Sequence, residues 1–105
     1  MELLYNVASY ITGGRKMNAV ISVIGNDARG IIYRVSKILY EHDVNILDIS
    51  QTIMQELFTM VMVVDISTSK VDFIKLVEEL DELGKEIGVE IHTQHSDIFK
   101  SMHRI

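Results

Sequence analysis

The residues of this chain best suited to chemistry stand together at Gly25-Asn26-Asp27-Ala28-Arg29-Gly30-Ile31. The chemistry they suit is binding. The stretch closes an apolar run and opens an amphipathic one, so it reads as a strand-to-helix turn whose first helical amides lack intrahelical acceptors. Such amides, at the positive end of a helix dipole, can hold a carboxylate or a phosphate. Gly25 would permit an otherwise strained backbone, Gly30 would let another group approach the first helical turn, and Asp27 could accept amide hydrogen bonds as the N-cap. Two readings stay open at this point: either the turn binds an anion, or Asp27 caps its own helix and nothing binds.

No other group of residues offers a stronger pattern. His92, His95, His103 and Asp97 are the remaining candidates for a metal site, yet His92 and His95 would point to opposite faces of a strand and neither makes a helical ligand pair with His103. We therefore assign no metal and no cofactor. There is no Gly-x-Ser-x-Gly elbow, no phosphate loop ending in Lys-Ser/Thr and no cysteine nucleophile, so the expectation is a protein without enzymatic activity. The aromatic signature of RNA-binding sheets is missing, and a formal net charge of −5 opposes a nucleic-acid or anionic membrane partner.

The elements that must position the turn follow from periodicity. Ala19–Ile24 is a short, β-branched, almost continuously apolar run, as in a buried strand. Ile31, Val35, Ile38 and Leu39 recur at helical spacing, with Arg34, Lys37 and Glu41 on the other side. From Leu47 the pattern alternates, with Leu47, Ile49 and Ile53 on one face and Asp48, Ser50 and Thr52 on the other. Gln55-Glu56-Leu57 is short and polar enough to turn a hairpin into Phe58–Ile66, a strand apolar on both faces. Ser69 and Asp72 resemble a capping box ahead of a second helix with the stripe Phe73, Leu76, Val77, Leu80, Leu83 and Ile87, which Gly88 stops. Val89–Gln94 is a last strand, and Ser96–Ile105 could add a helical turn with Ile98, Phe99 and Met102 packing back.

Strand, helix, strand, strand, helix, strand, with a hairpin in the middle, predicts an α+β, ferredoxin-like βαββαβ sandwich: a four-stranded antiparallel sheet with two helices on one face. The other sheet face would be left bare, a surface for self-association. At 105 residues, 48% of them hydrophobic and with mean hydropathy +0.20, the chain allows one domain and a single core. No apolar run approaches membrane-span length, and the expected location is cytoplasmic. Residues 1–16 read as an extension to a domain over 17–105. Gly13-Gly14-Arg15-Lys16 before Met17 can be encoded by a purine-rich run resembling a ribosome-binding site, which suggests Met17 as a start; the rival reading is an arm that pairs with a partner.

From about Met17 onward the residues resemble the ACT domain, the small regulatory module of amino-acid metabolism. The likeness is carried by Gly-x-Asp-x-x-Gly-Ile at 25–31 after the first strand, and by Asn45-Ile46 followed by Asp48-Ile49 at the start of the second. Asn45–Gln55 and His95–Ile105 look like stand-alone ACT proteins of bacteria and archaea, akin to the ACT part of glycine-cleavage repressor-like regulators. Arg29 stands where many members carry proline. The resemblance implies a homodimer whose subunits join or stack their sheets, and an amino acid bound near the subunit boundary. It would be held by Asn26, Asp27, Ala28, Arg29, Gly30 and Ile31 from the turn, with Asn45, Ile46 and Asp48 supplying side-chain or backbone partners and Asp27 or Asp48 a carboxylate for the ammonium. Ligand binding would then alter contact with a partner protein. The alternative is a constitutive dimerisation module in which Asp27 caps, Asn45 turns and Asp48 is solvated.

Overall fold

In the computed structural model, which describes residues 17–26 and 30–96, the expected elements form in the expected order. β1 spans Asn18–Gly25, α1 Ile31–Glu41, β2 Asn45–Met54, β3 Leu57–Asp65, α2 Phe73–Ile87 and β4 Glu90–His95. The sheet order is β2-β3-β1-β4 and every neighbouring pair is antiparallel. β1 and β2 are therefore parallel to each other, and α1 is the crossover between them. This is the ferredoxin-like arrangement. The expectations for residues 1–16, for Asp27–Arg29 and for Ile98, Phe99 and Met102 lie outside the described residues.

Both helices cover one sheet face. Ile31, Val35 and Leu39 of α1 and Leu76, Leu80 and Leu83 of α2 are buried against Ala19, Ile21 and Val23 of β1 and Phe58, Met60, Met62 and Val64 of β3. Each such aliphatic side chain contributes about 1.5–3 kcal/mol through removal of apolar surface from water. The opposite face is less bare than its pattern suggests: Val20 and Val63 lie there at 1% exposure, with Leu47 and Val61 packed against them. Exposed apolar side chains gather elsewhere, on Ile49, Ile53, Met54 and Leu57 of the β2–β3 hairpin and on Ile32, Tyr33 and Tyr40 of α1.

Three local expectations need correction. Leu47 does not share a face with Ile49 and Ile53, because the register of β2 against β3 slips between Ile46 and Asp48. That irregularity sends Leu47 to the Val20–Val63 side, while Ile49 and Ile53 stay opposite the core residues Met62 and Phe58. The hairpin turn is only Gln55-Glu56, at φ 50° and 71°, and the strand resumes at Leu57. The cap of α2 is Asp72, whose Oδ1 accepts from the Lys75 amide at 2.8 Å. Ser69 instead bonds locally to Val71, donating to its carbonyl at 2.7 Å.

Candidate functional site

The two glycines of the turn exchange the roles expected of them. Gly25 is not in the left-handed region; a Cβ there would meet Val89 Cγ1 at 2.4 Å, so glycine is needed for the close approach of the chain ahead of β4. Gly30 has φ 74°, and a Cβ there would meet nothing within 4 Å. Gly30, not Asp27, is the N-cap of α1, and as glycine it has no side chain of its own with which to cap. Its carbonyl accepts the Arg34 amide at 2.9 Å. Asn26 is exposed at the end of β1, and Ile31 is buried in the core. The described part of the turn thus presents a helix start with open space beside it and no side-chain acceptor of its own.

The other candidate residues lie at the far end of the sheet. Gly25 pairs with Phe58, which pairs with Ile53; Asn45 pairs with Asp65, which pairs with Asn18. The eight residues of β1 separate these rungs, about 23 Å at roughly 3.3 Å per step. One chain therefore does not bring Asn26 and Gly30 together with Asn45, Ile46 and Asp48. Ile46, half-buried, packs on the core opposite Val64. Asp48, half-buried opposite Val63, turns its Oδ1 onto the Ile49 amide at 2.8 Å. Asn45 is exposed.

At the Asn45 end the surface forms a recess of about 250 Å³ lined by Tyr40, Asp43, Val44, Asn45 and Thr68. Asp43 and Thr68 were not among the residues singled out from sequence. The available signal was Asp43 itself, a charged residue where the helical period of α1 stops. A second groove, of about 260 Å³, runs between the helices, but an ion pair of Arg34 with Glu86 joins its walls, and Glu79 is hydrogen-bonded to His42 beside it. His92 faces the side of Ser22 and lies 3.9 Å from Glu90, whereas His95 sits opposite Ala19 with its ring edge-on to Phe73 at 5.6 Å. They point to opposite faces, and among the described residues no group of acidic, histidine or cysteine side chains could hold a metal ion. No helix among them is long and apolar enough to cross a membrane.

Comparison with known proteins matches residues 18–94 to the ACT domain family model. A UPF0237 protein of Methanocaldococcus jannaschii is 59% identical over 86 residues, covering 82% of this chain and 96% of that protein. Among solved structures, an ACT domain protein from Streptococcus pneumoniae is 42% identical with a TM-score of 0.71, over 82% of this chain and 97% of that one. The regulatory subunit of aspartate kinase from Thermus thermophilus, solved in its ligand-free form, is 28% identical with a TM-score of 0.55, over 75% of this chain and 51% of that one.

Proposed function

The chain belongs to the ACT domain family, and from that premise we propose that it is a non-enzymatic, cytoplasmic regulator: a homodimer that binds a small amino acid between its subunits. The reading is supported most directly by the start of α1, which begins on a left-handed glycine with space beside it among the described residues. A ligand carboxylate there would accept amides of the first helical turn, at the favourable end of the dipole. Asn26, Asp27, Ala28, Arg29, Gly30 and Ile31 form this half of the site. Asn45, Ile46 and Asp48 mark the second half, Ile46 and Asp48 by shaping the strand and Asn45 by offering its amide group.

Because the two halves sit at opposite ends of one sheet, a second copy must unite them. β2 is an edge strand ten residues long, without proline or lysine, and it carries the exposed Ile49 and Ile53. An edge of that kind favours pairing with another strand. Two copies related by a two-fold axis pair their β2 edges antiparallel, which sets the turn end of one beside the Asn45 end of the other. A zwitterion bound there would stabilise one dimer arrangement, and its effect on a partner protein would equal its differential affinity for the two arrangements. The working unit is residues 17–105, with 1–16 an extension.

A thermal-shift and calorimetric survey of the proteinogenic amino acids tests the reading. Binding should raise the melting temperature, by about 2.7 kcal/mol of stabilisation at a hundredfold excess over Kd, and Asp27→Ala should remove that gain. A survey with no response from any amino acid would leave the constitutive dimerisation module as the function.

A further inference from the structure

The sheet face away from the helices is buried at one end only. Asn18, Val20 and Val63 are 4%, 1% and 1% exposed, and Val20 stands opposite both Val63 and Gln94. Further along the same face, towards Gly25, Thr52, Glu90 and His92 are exposed. Side chains stand roughly perpendicular to a sheet, so Leu47 and Val61 flank Val20 and Val63 without covering them. Both helices lie on the other face, and these exposures are those of a single chain. The buried end therefore needs a layer from the chain's own residues.

The chain that leaves β4 suits that layer. Ser96, the residue after His95, is already helical and is 7% exposed, whereas Met17, which joins residues 1–16 to β1, is 51% exposed. After Ser96, Ile98, Phe99, Met102 and Ile105 recur at helical spacing with polar residues between them. The nine residues 97–105 extend about 13 Å as a helix, at roughly 1.5 Å per residue. From β4 across β1 and β3 to Leu47 on β2 is three strand spacings, about 14 Å at roughly 4.8 Å each. Reach and apolar pattern both match the face.

We propose that residues 97–105 continue the helix begun at Ser96 across the second sheet face as a built-in strap, with Phe99 and Met102 seated on Val20 and Val63. Because the strap belongs to the same chain, it closes the surface through which two sheets could stack and leaves the β2 edge for association. This contact is independent of whether the chain binds an amino acid.

Proton NOEs in the full chain test the strap. The Val20 and Val63 methyls should show them to the Phe99 ring and the Met102 methyl. Contacts within one chain should also persist when isotope-labelled protein is mixed with a large excess of unlabelled protein. Phe99→Ala/Met102→Ala should melt about 4 °C or more below wild type and bind an apolar dye that wild type does not. NOEs from Val20 and Val63 to residues 1–16 in place of 97–105 overturn the proposal, as do NOEs seen only between differently labelled chains, which would make the occupant a second copy's. Unchanged melting and dye binding in the double variant overturn it as well. Should that variant not fold, the NOEs decide alone.

Discussion

Gly25 and Gly30 bound the same turn and are required for different reasons, which substitution can separate. At Gly25 the obstacle is Val89, so Gly25→Ala should cost about 1–3 kcal/mol in urea unfolding, as overpacking does. Trimming the neighbour in Gly25→Ala/Val89→Ala should return part of that loss beyond additivity. At Gly30 the obstacle is only the left-handed backbone, so Gly30→Asn should remain within about 1 kcal/mol of wild type. The importance of both positions is legible in sequence, but which glycine answers a steric need and which a dihedral one is not, because Val89 arrives from 64 residues away along the chain. Asp43 was hidden for a related reason. A charged residue ending a helical period looks like ordinary solvated surface until its φ and its place beside Asn45 are known.

Among the elements, the β2–β3 hairpin carries the clearest unmet preference. Gln55 and Glu56 both have positive φ, as a type I′ turn requires, yet neither is glycine or asparagine. Gln55→Asn/Glu56→Gly should therefore stabilise the chain by about 1 kcal/mol, a rise of about 4–8 °C in melting temperature. The cap of α2 works in the other direction: Asp72→Ala should cost about 1 kcal/mol through loss of the bond to the Lys75 amide. Element order and the extents of both helices were readable, because a 3.6-residue apolar stripe and a closing glycine are local signals. The irregularity at Ile46–Asp48 was not. Alternation read along β2 alone places Leu47 with Ile49, and only the register against β3 shows otherwise.

At the scale of the whole molecule, the sheet's second face and its edge exchange importance. The sequence pattern points to that face as the self-association surface, yet Val20 and Val63 are already buried on it while Ile53 and Met54 of the β2 edge are 68% and 67% exposed. Dimerisation through the edge then predicts that Ile53→Lys weakens self-association in sedimentation equilibrium. The circular dichroism and chain stability should stay within about 0.5 kcal/mol of wild type, as for other exposed positions. The sheet order also explains why the candidate residues look like one site in sequence. The turn and the start of β2 belong to successive parts of a crossover, so they are close along the chain but at opposite ends of β1. In the proposed dimer, a two-fold partner would return them to one another.

That division between copies is open to a complementation measurement. Asp27→Ala lacks the turn half and Asn45→Ala lacks the β2 half, and each alone should fail to bind glycine, L-alanine or L-serine in calorimetry. Refolded together in equal amounts, they should regain roughly a quarter of the wild-type sites, since about half the dimers are mixed and each carries one intact site. Full binding by Asn45→Ala alone, or no recovery in the mixture, would contradict a site shared between two subunits.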